Sequence, residues 1–191
     1  MRSRITALEA DRNSAARSLQ LCVSILQASG EEAAAGGTEL VSSLIVPGAG
    51  EIPEYTYTGQ MRGGERHGLG GVTWATGSLK SYDGQWQEGK IHGQGIMVYS
   101  TPDDIYDGWF TDGKRNGQGS YTWIHGTSYK GQWQMGKKHG QGVYTYRNGD
   151  SEEGLWEANK RQGQFIFTKA DGTRYSRVCK DDTRTSQTRI P

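Results

Sequence analysis

A chain of 191 residues holds one compact domain or one repeat array with appendages. Its formal net charge of +1 gives no reason to expect nucleic acid or another bulk polyion as partner. Hydrophobic residues reach only 33%, against 29 glycines, 6 Trp and 10 Tyr, which excludes a thick aliphatic core and favours a thin sheet covered by aromatic rings.

The first element in chain order has helical spacing. Ile5, Leu8, Arg12, Ala15, Leu19, Cys22 and Leu26 recur at alternating steps of three and four residues. Thr6-Ala7-Leu8-Glu9 matches a capping box and Gly30 a stop, so residues 1–30 predict a short amphipathic helix over 6–29. Its apolar face, Ile5, Leu8, Leu19, Cys22 and Leu26, is a docking face for the chain's own sheet or for a neighbour, while Arg12 on the seam argues against a long independent coiled coil. The Arg- and Ser-rich start resembles a transit peptide, but Glu9 and Asp11 interrupt it, and no organelle import is expected. Residues 31–54 read as linker, within which ELVSSLIV forms one further strand or a helical turn.

Residues 55–176 are internally repetitive. Similar starts fall at Tyr57, Tyr82, Tyr106, Tyr129 and Glu152, giving units 57–81, 82–105, 106–128, 129–151 and 152–174; a sixth start at Tyr175 soon fails. Counting each start as position zero, position two is always glycine, as in Gly84, Gly108 and Gly131. Position four is aromatic in four units, as in Trp86, Trp133 and Trp156, with Met61 in the first. Position eleven is always glycine, and position thirteen is glycine, as in Gly142, until Phe165 replaces it.

The alternation of Tyr, Gly and Trp at positions zero, two and four has the period of a strand with one covered face. Positions thirteen, fifteen and seventeen repeat that pattern, so each unit predicts a β-hairpin. With the turn centred on positions eight and nine, Trp133 opposes Gly142, Gly131 opposes Tyr144 and Tyr129 opposes Tyr146, and the glycines act as slots for rings. The expected fold is mainly β: an elongated single-layer antiparallel sheet of about five tandem hairpins, preceded by the short amphipathic helix.

The signature YxGxW followed by G-K-x-H-G-x-G, best seen in YKGQWQMGKKHGQG from Tyr129, resembles the MORN (membrane occupation and recognition nexus) repeat, and the likeness covers about residues 55–176. It departs from the pattern at Met61, Glu152 and Phe165. The resemblance implies a non-enzymatic scaffold or adaptor with protein partners in a multi-subunit assembly. The cytoskeletal, axonemal setting of a radial spoke in a cilium or flagellum is the expected one.

The uncovered face is mostly polar, but Ile96, Trp109, Val143, Leu155 and Ile166 interrupt it and form a candidate partner-binding stripe. The predicted turns carry Arg66, Lys90, Lys114, Arg115, Lys137, Lys138, Lys160 and Arg161, which supports an alternative: a membrane-peripheral module that binds phosphoinositides or acidic partners through a basic ridge. Position ten alternates His with Asn116 and Gln162, which suits hydrogen bonding better than metal. No catalytic constellation, cofactor loop or metal set can be assembled, so no enzyme activity, cofactor or metal is expected. No apolar run reaches the length of a membrane span, and two unrelated cysteines, Cys22 and Cys179, suit a reducing, cytoplasmic location. Residues 177–191 are expected to be an extended or disordered tail.

Overall fold

The computed structural model describes residues 37–48, 54–100 and 103–191. The predicted helix and its docking face, Ile5, Leu8, Leu19, Cys22 and Leu26, lie outside the described residues. Residue contacts divide the chain into two compact units, Met1–Met97 and Val98–Pro191. The first contains β1 (Glu39–Val46), β2 (Tyr55–Arg62), β3 (Glu65–Trp74), β4 (Leu79–Gln87) and most of β5 (Lys90–Tyr99). The second contains β6 (Ile105–Thr111), β7 (Lys114–Thr122), β8 (Ser128–Gln134), β9 (Lys137–Thr145), β10 (Ser151–Glu157), β11 (Lys160–Thr168), β12 (Arg174–Lys180) and β13 (Thr183–Arg189). In both units strand order follows chain order, the pairing is antiparallel, and no helix occurs among the described residues.

ELVSSLIV is the further strand, β1, paired with β2. The last fifteen residues, expected as a tail, instead complete β12 and form β13, a sixth hairpin whose sequence has left the repeat pattern.

The hairpin register differs from the one expected. The turn of the fourth hairpin is Met135–Gly136, with φ of 48° and 84°, and not Lys137–Lys138. Positive φ at both residues defines the type I′ turn, whose twist matches that of the flanking strands. Glu88–Gly89, Asp112–Gly113, Ala158–Asn159 and Asp181–Asp182 repeat it.

Near this turn Trp133 opposes Lys138, yet farther out Gly131 opposes Gly142 and Tyr129 opposes Tyr144. A bulge absorbs the difference, leaving Gly140 and Gln141 without counterparts on β8. Gly140 takes φ of 58° there, which explains the unbroken glycine at position eleven. The Gln132 carboxamide oxygen accepts a bond from the Gln141 N–H at 3.2 Å, and Gln60 and Gln85 serve Leu69 and Gln94 in the same way at 2.7 and 2.8 Å.

Met135 is 60% exposed and adopts a left-handed conformation that a side chain without local hydrogen bonding disfavours. Met135→Asn, which gives the preferred Asn-Gly turn, is expected to raise stability by about 0.5–1 kcal/mol in urea denaturation. An unchanged or lower midpoint would count against the turn assignment.

The rings lie on one face. Tyr57, Tyr82, Tyr106 and Tyr129 are almost wholly buried, and each hydroxyl donates to the position-three carbonyl of its own strand, as Tyr129 does to Gln132 at 3.0 Å. Each tyrosine leans along its strand over the paired glycines. A Cβ on Gly142 would fall 2.5 Å from ring carbons of Tyr129, and one on Gly131 would fall 2.5 Å from the Gly142 Cα. The expectation of glycine slots for rings therefore holds with a different partner, since tyrosine covers both glycines of the pair.

Tryptophan does the stitching. Trp86 Nε1 donates to Gly70 O at 2.8 Å, Trp133 to Gly119 O at 3.1 Å and Trp156 to Gly142 O at 3.3 Å, each reaching the preceding hairpin. Trp133 meets Tyr129 and Tyr106 edge to face, at 5.2 and 5.3 Å between centroids.

The fifth hairpin inverts the scheme. Phe165 supplies the ring from the opposite strand, since a Cβ on Gly154 would fall 2.7 Å from it. Glu152 stands where tyrosine would and is 1% exposed.

Candidate functional site

Two surfaces were marked by the sequence, the basic ridge and the apolar stripe; register splits the ridge between the two faces of the hairpins and leaves the stripe on the outer one, farther from the turns.

The eight basic residues of the ridge divide into two sets. Position nine turns inward onto the next hairpin. Arg66 lies over the Trp86 ring at 4.3 Å and donates to Gly89 O at 2.8 Å. Arg115 lies over Trp133 at 4.4 Å and donates to Gly136 O at 2.8 Å. The Lys138 ammonium lies 4.1 Å from the Trp156 centroid, with Tyr144 and Tyr129 at 5.1 and 5.5 Å, and burial pushes its pKa down to about 8. The three ring faces attract the charged form and oppose that shift.

Arg161 meets no tryptophan, because the sixth hairpin carries the buried Cys179 at position four. It bonds Glu152 at 2.6 Å and Asp182 at 2.7 Å instead. These four cations bind one hairpin to the next.

The other four, Lys90, Lys114, Lys137 and Lys160, are exposed. In the second unit Lys114, Lys137 and Lys160 open alternate strands β7, β9 and β11, which sets neighbours roughly 10 Å apart along one edge. Asp181 lies 3.9 Å from Lys160 and dilutes the positive charge.

On the outer face, opposite the rings, register places Val143 and Ile166 on either side of Glu153, with Leu155 two residues farther along β10. These three form an apolar triangle on β9, β10 and β11. Trp109 stands apart on β6, since β7 and β8 intervene with Ser120 and Lys130 in the outer row. Ile96 is half-buried on β5 in the first unit.

Trp109 and Leu155, each 46% exposed, occupy position three. That is the slot where Gln60, Gln85 and Gln132 bond the bulge, and neither Trp nor Leu can accept such a bond. Two of five hairpins thus give up a local stabilising bond to present a large apolar side chain to solvent.

Position ten pins neighbouring turns where it is not histidine. Asn116 receives the Met135 N–H at 3.5 Å, and Gln162 bonds Asp181 in both directions at 3.0 and 3.2 Å. No group of three or more metal-ligating side chains occurs among the described residues. No described helix is long and apolar enough to cross a membrane.

Two features escaped the sequence reading. One is the Glu152 cluster, in which Arg161, Arg177 and the Tyr146 hydroxyl (2.8 Å) close on one buried carboxylate. Its signal was the coincidence of Glu152 and Phe165 as departures in one unit. The other is the exposure of apolar side chains on β1, where Leu40, Leu44 and Ile45 are 41%, 38% and 65% exposed.

A family model described as MORN repeat matches residues 57–79, 82–101, 106–128, 129–151 and 153–174. No curated protein matches the sequence.

Proposed function

The chain belongs to the MORN repeat family, and from that premise we propose that it is a non-enzymatic scaffold whose outer β face holds protein partners in a cytoskeletal, axonemal assembly of the radial-spoke kind. One observation carries the protein-binding part of this reading: Trp109 and Leu155 stand exposed in a slot where glutamine would stabilise the hairpin. Large apolar side chains left nearly half exposed at the cost of a local bond are the mark of a contact surface. The axonemal setting rests on the family association alone.

The exposed lysines support a second reading, a peripheral phosphoinositide contact along the turn edge. It has half the charge that the sequence suggested, because Arg66, Arg115, Lys138 and Arg161 are committed between hairpins.

Two variants separate these readings. Trp109→Glu with Leu155→Glu is expected to reduce recovery of partner proteins from native cells at least tenfold, the loss of roughly 1.4 kcal/mol or more of binding energy. Lys114→Glu with Lys137→Glu and Lys160→Glu is expected to leave recovery within twofold. Strong co-sedimentation with phosphoinositide vesicles that the lysine variant abolishes, with partner recovery untouched by the apolar variant, would reverse the assignment. Recovery of only soluble metabolic enzymes would remove the cytoskeletal setting.

A further inference from the structure

We infer that β1 is a self-association edge, through which two copies of this chain pair antiparallel about a two-fold axis between residues 42 and 43. Among the described residues β1 has one neighbouring strand, β2, so its other edge is free to accept a strand. Edge strands are usually guarded by lysine, proline or inward charge. ELVSSLIV has neither lysine nor proline, and its one charged residue, Glu39, stands at its first position.

The sequence of β1 is apolar on both sides of its centre, and its geometry is self-complementary. Pairing with β2 places Glu39, Val41, Leu44 and Val46 on the ring face, opposite Met61, Gly59, Tyr57 and Tyr55. Leu40 and Ile45 lie on the outer face, opposite Gln60 and Thr56. In a regular strand, Val41 and Leu44 would point to opposite faces, as would Leu40 and Ile45. The register shift between Val41 and Leu44 removes that conflict.

Two-fold antiparallel pairing then sets Val41 against Leu44 of the second copy on the ring face. It sets Leu40 against Ile45 of the second copy on the outer face. Leu40, Val41, Leu44 and Ile45 of one strand each meet an apolar side chain of the other, Val46 faces Glu39 at the two ends, and no like charges face each other. On the ring face Leu44 and Val46 also border a cavity of about 250 Å³ with Tyr55, Tyr57 and Met61, into which the opposing Val41 can pack. The contact is isologous, as a closed dimer requires.

The test uses the full chain in sedimentation velocity over a range of concentrations. A reversible dimer is expected, and Ile45→Lys, which puts a lysine against Leu40 at both ends of the contact, should weaken it at least tenfold. Ser43→Cys in a Cys22→Ser background keeps the test independent of that substitution's effect on folding. A short bismaleimide should yield a covalent dimer from Ser43→Cys and none from Thr188→Cys on β13. A chain monomeric at all concentrations would overturn the inference. So would a dimer indifferent to Ile45→Lys, cross-linking through Thr188→Cys, or dimerisation only after removal of residues 1–36.

Discussion

Glu152→Ala is expected to lower the stability of the second unit by about 3 kcal/mol, read as a loss of urea midpoint with an unchanged denaturant slope. The carboxylate is 1% exposed and joins three elements. It is bonded by Arg161 of β11, Arg177 of β12 and the Tyr146 hydroxyl that follows β9. Arg177 stands at position two of the sixth hairpin, where the five preceding hairpins have glycine, and its guanidinium lies 3.4 Å from the Phe167 ring centroid. Removing the carboxylate leaves two guanidinium groups facing one another with no anion between them. Arg161 retains Asp182, and both arginines are partly in contact with water, which keeps the loss near the lower end for a broken buried pair. A change below about 1 kcal/mol, the range of exposed pairs, would mean that the cluster is solvated and does not hold the sixth hairpin.

The second large effect concerns the ring slots. Gly142→Ala places a methyl group 2.5 Å from carbons of the buried Tyr129 ring, and overpacking of this kind costs about 1–3 kcal/mol. Tyr129→Ala should cost about 3–5 kcal/mol by emptying the slot. The fifth hairpin already solves the same space in reverse, with Phe165 over Gly154 and no ring at position zero. Tyr129→Ala with Gly142→Phe should therefore be more stable than the sum of its single changes by about 1–3 kcal/mol, measured in a double-mutant cycle. Additive losses would show that the two hairpins do not share one packing rule.

The repeat, its hairpins and the burial of tyrosine and tryptophan were legible because the unit occurs five times, with tyrosine at position zero in four and tryptophan at position four in three, so coincidence of position stood in for structure. The register was marked at one place, the Asp112–Gly113 pair of the third unit, and was missed because Met135–Gly136 and Ala158–Asn159 adopt the same conformation with weaker signals. The bulge was hidden as well, because a turn centred on positions eight and nine made the glycine at position eleven its boundary. That one displaced turn moved Lys138 from the exposed ridge to the face of Trp156.

The sixth hairpin escaped for a related reason. Its Asp181–Asp182 turn donates from Asp182 N to Arg161 O at 3.1 Å, just as Gly136 N donates to Arg115 O at 2.9 Å. Backbone docking persists there after the side-chain signature has ended. On the outer face the stripe was read as one row, yet strand order leaves Trp109 apart from Val143, Leu155 and Ile166. Only pairing in space reveals such spacing.

Hydroxyl-radical footprinting with the recovered partner proteins tests the scaffold reading most directly, because reactive side chains sit on both competing surfaces. Trp109 and Leu155 report the outer face, and Met135, 60% exposed beside Lys137, reports the turn edge. Partner binding is predicted to lower the oxidation rate of Trp109 and Leu155 at least fivefold and to leave Met135 unchanged. Protection of Met135 with Trp109 and Leu155 still reactive would place binding at the lysine edge and contradict the account.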